Sequence, residues 1–306
     1  MDSLTVAVGP IAEDWVVEAI LAGGGSPVLL GGPAQGLVWT DSGDTSGLHE
    51  ALQALPDLEW VQLPSAGVER FAAAGLLDRE RQWTCAKGAF GEPVAEHALM
   101  LALAGLRSLP DRVRAKSWGA PSGTSLYDRD VTILGAGGIC AALLELLSPF
   151  RARATVVRRT GIPLPRAHRT VTTEQLHDAL AGALVVFLAL ALTPETCGMI
   201  GQSELARMDR DAWLVNVARG PLVDTAALVQ ALQMGTIAGA ALDVTDPEPL
   251  PEDHPLWTAP NCIVTPHSAD TSEMTQPLLA RRITTNVRRL TEGRPLVGVV
   301  DPDAGY

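Results

Sequence analysis

Short apolar runs alternate with helix-length segments along almost the whole chain. Residues 5–8 read as a strand, 14–22 as a helix capped by Asp14 and stopped by glycines at 23–25, and 28–30 as a second strand. A strand at 37–40, a helix at 47–55, a strand at 58–63, a helix at 68–77 and a fifth strand at 82–85 follow. This rhythm predicts an open parallel sheet with helices on both faces. It fades in a Gly-rich loop at 86–93, ahead of an apolar helix at 94–106. The polar stretch 107–130, with Pro110 and Pro121, reads as loops and short turns. The rhythm then restarts with six strands, at 131–134, 154–157, 184–190, 213–217, 240–244 and 263–265. Helices at 139–147, 173–180, around 203–208 and 225–234 separate most of them, and a last helix at 277–292 ends at Gly293. The fold class expected is α/β, with two doubly wound parallel-sheet (Rossmann-like) domains. On pattern alone, the final helix and tail can close either sheet.

Length agrees, since 306 residues correspond to about two domains at roughly 150 residues each. The net charge of −12 argues against nucleic acid or an anionic membrane as partner, because both need clustered cations. The four cysteines (Cys85, Cys140, Cys197 and Cys262) form no CxxC pattern, and a chain of this size needs no disulfides to build a core. The first residues carry no basic stretch before an apolar run, so no signal peptide is expected. The longest apolar run, 179–192, is too short to span a bilayer and contains Gly182. A cytoplasmic protein is the expectation. No two histidines stand at helical ligand spacing and no G-x-S-x-G elbow occurs, so neither metal-dependent chemistry nor serine hydrolysis is expected.

The clearest chemical signal lies at 131–140, VTILGAGGIC, a strand running into glycines and then a helix. Gly135 permits the tight turn, and Gly137 lets backbone approach a pyrophosphate at the helix N-terminus. Ala136, Gly138 and Ile139 complete the turn, and Cys140 stands where the third fingerprint glycine would be. Dinucleotide binding is favoured over a bare structural turn, because the turn follows a strand and opens a helix. The next strand ends in ATVVRRT, 154–160, with Arg158 in the slot that an acidic residue occupies in NAD-binding sites. Arg158, with Arg159 and Thr160 behind it, suits a 2′-phosphate, which favours NADP (NADPH) and leaves NAD possible. Two solvated surface arginines are the plain alternative.

Three later strands end in reactive groups: Arg219, Glu248 and His267. Ligands of open parallel sheets bind at the carboxyl ends of strands, so all three can face one crevice. Arginine recognises a carboxylate and polarises a carbonyl. Histidine titrates near neutral pH and can protonate a new alkoxide, with a carboxylate partner orienting it. Taken singly, each is equally at home as a loop residue.

Together these segments resemble the D-isomer-specific 2-hydroxyacid dehydrogenases. The matching text is GAGGI at 135–139, LTPET at 192–196, LVNVARG at 214–220, ALDV at 241–244, EPLP at 248–251, HPLW at 254–257 and TPH at 265–267. VQLPSAG at 61–67 and VAE at 94–96 extend the likeness into the first half. The resemblance implies Arg219 as the substrate arginine, His267 as proton donor and Glu248 as its partner. It implies that Asp243 lies near the nicotinamide carboxamide. The backbone amides of Ser65, Ala66 and Gly67 would hold the substrate carboxylate. Thr193 falls in the loop that lines the cofactor, where a helix-capping role is an equal alternative. The implied architecture is a discontinuous, flavodoxin-like substrate-binding domain, 1–97 with 270–306, around a dinucleotide-binding domain, 98–269, with the catalytic cleft between them. A homodimer is implied as well. Ala191, Asp270 and Lys87 depart from or lie outside the family pattern, and Asp270 stands close to the histidine.

The reading is an NADPH-preferring reductase of small 2-oxo acids, of the glyoxylate or hydroxypyruvate type, giving the D-2-hydroxy acid. An NAD-using enzyme like phosphoglycerate dehydrogenase is one rival. The chain stops soon after its last helix, leaving no appended regulatory domain, which counts against it. A dinucleotide-sensing binding protein without turnover is the other.

Overall fold

The computed structural model describes residues 4–305, so the first residues of the segment read above for a leader lie outside the description. The chain forms two units. One runs to Phe90 and resumes at Thr271, and the other is Gly91–Asp270.

The first unit contains β1 (Thr5–Gly9), α1 (Asp14–Ala22), β2 (Ser26–Leu29), β3 (Gly36–Trp39), α2 (Thr45–Ala54), β4 (Trp60–Gln62), α3 (Glu69–Ala73) and β5 (Gln82–Thr84). Its five strands are all parallel, in the order β2-β1-β3-β4-β5. That is the flavodoxin-like order. Leu48, Leu52 and Phe71 from α2 and α3 bury one face of the sheet. The capping residue of α1 is Glu13, and Asp14 is already the first helical residue. Asp44 caps α2, its carboxylate accepting from Gly47 N at 2.7 Å, which starts that helix at Thr45, two residues before the expected start.

The second unit opens with α4 (Gly91–Leu106) and α5 (Leu109–Arg114). The expected domain break after residue 97 falls inside α4, which goes whole with this unit because Val94, Ala98 and Leu101 enter its core. The helix α5 lies where only loops were expected. It buries no residue, so no apolar stripe announces it. The alternation continues as β6 (Asp130–Leu134), α6 (Gly138–Leu147), β7 (Arg153–Val157), β8 (Arg169–Val171), α7 (Leu176–Leu180), β9 (Val185–Leu188), α8 (Gln202–Leu205), β10 (Trp213–Asn216), α9 (Thr225–Met234), β11 (Gly239–Leu242) and β12 (Cys262–Val264). There are seven strands, not six. The additional one, β8, is a three-residue edge strand beginning with an arginine, too short and polar to show a strand pattern. All neighbours are parallel, in the order β12-β11-β10-β9-β6-β7-β8. Counted from β6, the run from β8 to β11 is the 3-2-1-4-5-6 order of a dinucleotide-binding sheet, with β12 added. The strand order reverses between β6 and β9, where Leu134 pairs with Leu188.

Helix α6 shows why the chain folds this way locally. Cys140, Leu143, Leu144 and Leu147 recur at helical spacing and are buried against the sheet with α4. The helices α7, α8 and α9 cover the other face through Leu180, Leu205, Leu228 and Leu232. The last helix, α10 (Ser272–Thr291), returns to the first unit. It packs beside α1, where Thr284 Oγ1 donates to Ala19 O at 2.9 Å, and its Leu279, Ile283 and Val287 bury the second face of that sheet. Among the described residues, no helix is long and apolar enough to cross a membrane.

Candidate active site

The glycine turn sits at the switch point of the seven-stranded sheet. Gly135 has φ +107°, and a Cβ there would stand 2.2 Å from the carbonyl oxygen of Ala189, just past β9. Two strand exits therefore close on each other over this residue, which excludes any side chain. A Cβ on Gly137, by contrast, would project into open space. Gly137 caps α6 with no side-chain acceptor, whereas α9 receives a hydrogen bond from Ala227 N to Asp224 Oδ1 at 3.0 Å. The first amides of α6 are thus left for an external acceptor, which suits a pyrophosphate. Ala136 and Ile139 pack against the core beneath, and Gly138 opens the helix. Cys140 is buried, and burial pushes its thiol up to about 12, so it packs and does not react.

Arg158 follows β7 directly. Its amide donates to Val171 O at 3.0 Å and its Nη1 to Ile162 O at 3.2 Å. Its charge reaches the Cys140 thiol, so the exit of β7 neighbours the first turn of α6. Arg159 and Thr160 are exposed beyond it. Thr193 closes its own turn: its amide donates to Thr196 Oγ1 at 2.7 Å, and its hydroxyl holds the exposed Glu195 carboxylate below the usual range.

The exits of β10, β11 and β12 carry the reactive groups. Gly220, after Arg219, is pressed against the exit of β11, where a Cβ would lie 1.9 Å from Thr245 O. Asn216 Nδ2 donates to Arg219 O at 2.9 Å, and Arg219 Nη1 donates to Ala218 O at 2.6 Å. Past β12, His267 Nδ1 meets Glu248 Oε1 at 2.6 Å, with side chains 48% and 41% exposed. An ionised carboxylate only accepts, so Nδ1 carries the proton in this pair and Nε2 is left for chemistry. Such an open pair adds little stability, and its use lies in orienting the ring.

His267 has φ +50°, an uncommon backbone for a residue with a side chain. Asp243 holds it there. His267 N donates to Asp243 O at 2.8 Å. The Asp243 carboxylate accepts from Thr265 Oγ1 at 2.6 Å, Ser268 N at 2.9 Å and Ala269 N at 2.9 Å. His97 Nε2, from α4, stands 3.3 Å from the same carboxylate. Burial disfavours the charged form of this 1%-exposed group, but those hydrogen bonds outweigh it and hold the pKa at about 2. Asp243, which the resemblance puts near the nicotinamide carboxamide, has both carboxylate oxygens engaged in folding the histidine loop. The reading of the sequence missed His97. The available signal was its place on the buried stripe of α4 with Val94 and Leu101. Asp270 feels the charges of His267, Asp243 and Arg219, and burial raises its pKa. Arg219 and His267 therefore both lie around one half-buried carboxyl.

In the first unit, Ser65, Ala66 and Gly67 follow β4. Ser65 O accepts from Ala86 N at 2.9 Å, Ala66 O from the Cys85 thiol at 3.5 Å, and Gly67 O from Ser65 Oγ at 2.6 Å. Among the described residues, the amides of Ala66 and Gly67 have no acceptor within the fold. Engaged carbonyls beside amides with no acceptor are the arrangement that backbone anion sites use.

Residues 97–269 match the family model of the D-isomer specific 2-hydroxyacid dehydrogenase NAD binding domain. A glyoxylate reductase of Thermofilum pendens is 31% identical over 80% of this chain and 75% of its own length. The chain belongs to the D-isomer specific 2-hydroxyacid dehydrogenases. As a member it is an NAD(P)-dependent oxidoreductase acting on small 2-oxo or 2-hydroxy acids. This dehydrogenase is also 32% identical to a glyoxylate/hydroxypyruvate reductase B of Yersinia pestis, over 83% of this chain and 81% of that protein. The D-isomer specific 2-hydroxyacid dehydrogenase of Xanthobacter autotrophicus Py2, solved with NADPH and MES, superposes with a TM-score of 0.85 at 30% identity over the whole of both chains.

Proposed function

We propose that this dehydrogenase reduces glyoxylate or hydroxypyruvate with NADPH. The observation that carries the reading is the 2.6 Å pair of His267 Nδ1 and Glu248 Oε1 past β12, in the unit whose switch point holds the Gly135 turn. The cofactor, when bound, supplies a hydride to the carbonyl carbon. Gly135, Ala136, Gly137, Gly138 and Ile139 hold its pyrophosphate. Arg158, Arg159 and Thr160 meet its 2′-phosphate. An arginine in the slot of the usual carboxylate supports that choice, as does the NADPH bound in the Xanthobacter relative. Thr193 lines the same site.

The remaining residues act on the acid. Arg219 pairs with the substrate carboxylate and polarises the 2-oxo group. Ser65, Ala66 and Gly67 offer open amides to the carboxylate. His267 donates its Nε2 proton to the oxygen as negative charge develops, and Glu248 stabilises the imidazolium and fixes the ring. Asp243 and His97 hold the histidine loop in register. The names of the Thermofilum and Yersinia relatives support the substrate class. The homodimer belongs to the same reading, supported by Val113 and Trp118, left exposed on and after α5.

Purified protein mixed with NADPH and either acid should consume the reduced nicotinamide, and His267→Ala should abolish most of that loss while keeping nucleotide affinity. Binding of nucleotide with no turnover across a dozen 2-oxo acids would refute the reading. Arg158→Asp should reverse the preference for NADPH over NADH in paired KM measurements.

A further inference from the structure

The helix α10 carries a cation that the activity above does not use. Arg282 is 9% exposed, on the same face as Leu279, Ile283 and Asn286. A buried arginine normally pairs with a carboxylate, since desolvating a charge is costly. Among the described residues, Arg282 pairs with none. Its Nη1 donates to Cys85 O at 2.7 Å and its Nη2 to Lys87 O at 2.9 Å, a two-pronged grip on one turn of backbone. Space is kept for it by Gly298, where φ is +73° and a Cβ would stand 1.8 Å from Nη1. The cost of burial shows in its pKa, which desolvation lowers from the ordinary arginine value.

The gripped turn is the one that supports the open amides. Between the two gripped carbonyls lies Ala86, whose amide donates to Ser65 O at 2.9 Å. The Cys85 thiol reaches Ala66 O at 3.5 Å. One helical turn further along α10, Asn286 Nδ2 donates to Gln62 Oε1 at 3.1 Å, and Gln62 sits at the end of β4, just before the same loop. Gln62 Oε1 also accepts from Thr84 Oγ1 at 2.9 Å. A chain of hydrogen bonds thus runs from the last helix to the exits of β4 and β5.

We infer that Arg282 is a positioning residue for substrate: through the turn at 85–87 it sets the amides of Ala66 and Gly67 for the carboxylate of the 2-oxo acid, and its unpaired charge lends them a positive field. The arrangement explains why a guanidinium is kept in an apolar setting with only neutral acceptors. Two parallel donors fix the plane of the turn, which one ammonium or amide cannot do as well. Among the described residues no carboxylate pairs with it, so the charge also acts through low-dielectric surroundings on an anion nearby. The inference rests on the reading of Ser65, Ala66 and Gly67 as the carboxylate loop.

The test uses the full chain and reads KM for glyoxylate, kcat, and Kd for NADPH separately. Arg282→Met should raise KM for glyoxylate by about tenfold or more, with NADPH affinity within about twofold of wild type, because the nucleotide turn lies in the other unit. Arg282→Lys should recover part of the loss by restoring the charge and one donor. A lower melting temperature with unchanged KM would overturn the inference, and so would equal losses in acid and nucleotide binding. Should Arg282→Met fail to fold, Arg282→Lys decides the matter: a KM equal to wild type refutes the two-pronged grip, and a raised one supports it. Gly67→Pro, which removes one open amide, separates the two claims. If it leaves KM unchanged, the carboxylate loop itself is wrong and the inference falls with it. If it raises KM while the Arg282 variants do not, only the role of Arg282 is lost.

Discussion

A histidine held in left-handed backbone by a buried aspartate is the most demanding single residue of the site. The demand separates two kinds of mutation. His267→Asn removes the proton donor and should lower kcat/KM by about 100-fold to 10,000-fold. Glu248→Gln keeps the ring in place but withdraws the carboxylate that orients it and stabilises its charge, so kcat should fall by about 10-fold to 100-fold with nucleotide affinity unchanged. An unchanged kcat would contradict the pairing. Asp243 governs stability instead. Its folded pKa of about 2 lies below the unfolded value of roughly 3.9, so its contribution is complete above about pH 4 and is lost as pH falls through about 2. That difference amounts to about 2 to 3 kcal/mol. Urea midpoints of wild type and Asp243→Asn should therefore converge as the pH is lowered towards about 3, and a constant gap would refute the assignment. Arg219, Glu248 and His267 stood out in the sequence because each lies in the segment after an apolar strand. His97, Arg282 and Asn286 did not, because a polar residue on an apolar helical stripe signals burial in the sequence but not which loop it braces.

Elements were legible where burial wrote a period into them. The helices α6 and α9 and the inner strands β6, β9, β10 and β11 are bounded by glycines, caps and apolar runs, and they stand within two residues of expectation. The elements missed or trimmed are those with little buried surface, such as β8 at the sheet edge and α5. The early start of α4 at Gly91 went unseen for another reason: its first turn contains a glycine and a proline, which read as a loop. Contact between elements was also invisible. The exits of β10 and β11 touch at Gly220, which makes that glycine the hinge pin between Arg219 and the segment leading to Glu248. Gly220→Ala must push Thr245 aside and should reduce kcat/KM by at least about tenfold, the scale on which small misplacements of catalytic groups act. Nucleotide affinity should hold, since the Gly135 turn is built on different strands. Equal loss of both would show a general collapse instead.

At the scale of the molecule, α5 and the residues after it keep apolar side chains open, among them Trp118 at 99% exposure. Light scattering should report a homodimer for the wild type, and Trp118→Ser should shift it towards monomer if this segment lies in the interface. The same scale holds a consequence for how the protein is made. The strands of the first unit precede the Gly91–Asp270 unit along the chain, but Leu279, Ile283 and Val287, which cover one face of their sheet, follow it. The Gly91–Asp270 unit can mature on the nascent chain while its older neighbour waits half-covered, the kind of exposed apolar surface that draws chaperones. A chain cut short before α10 would leave that face bare, the kind of surface on which incomplete chains aggregate.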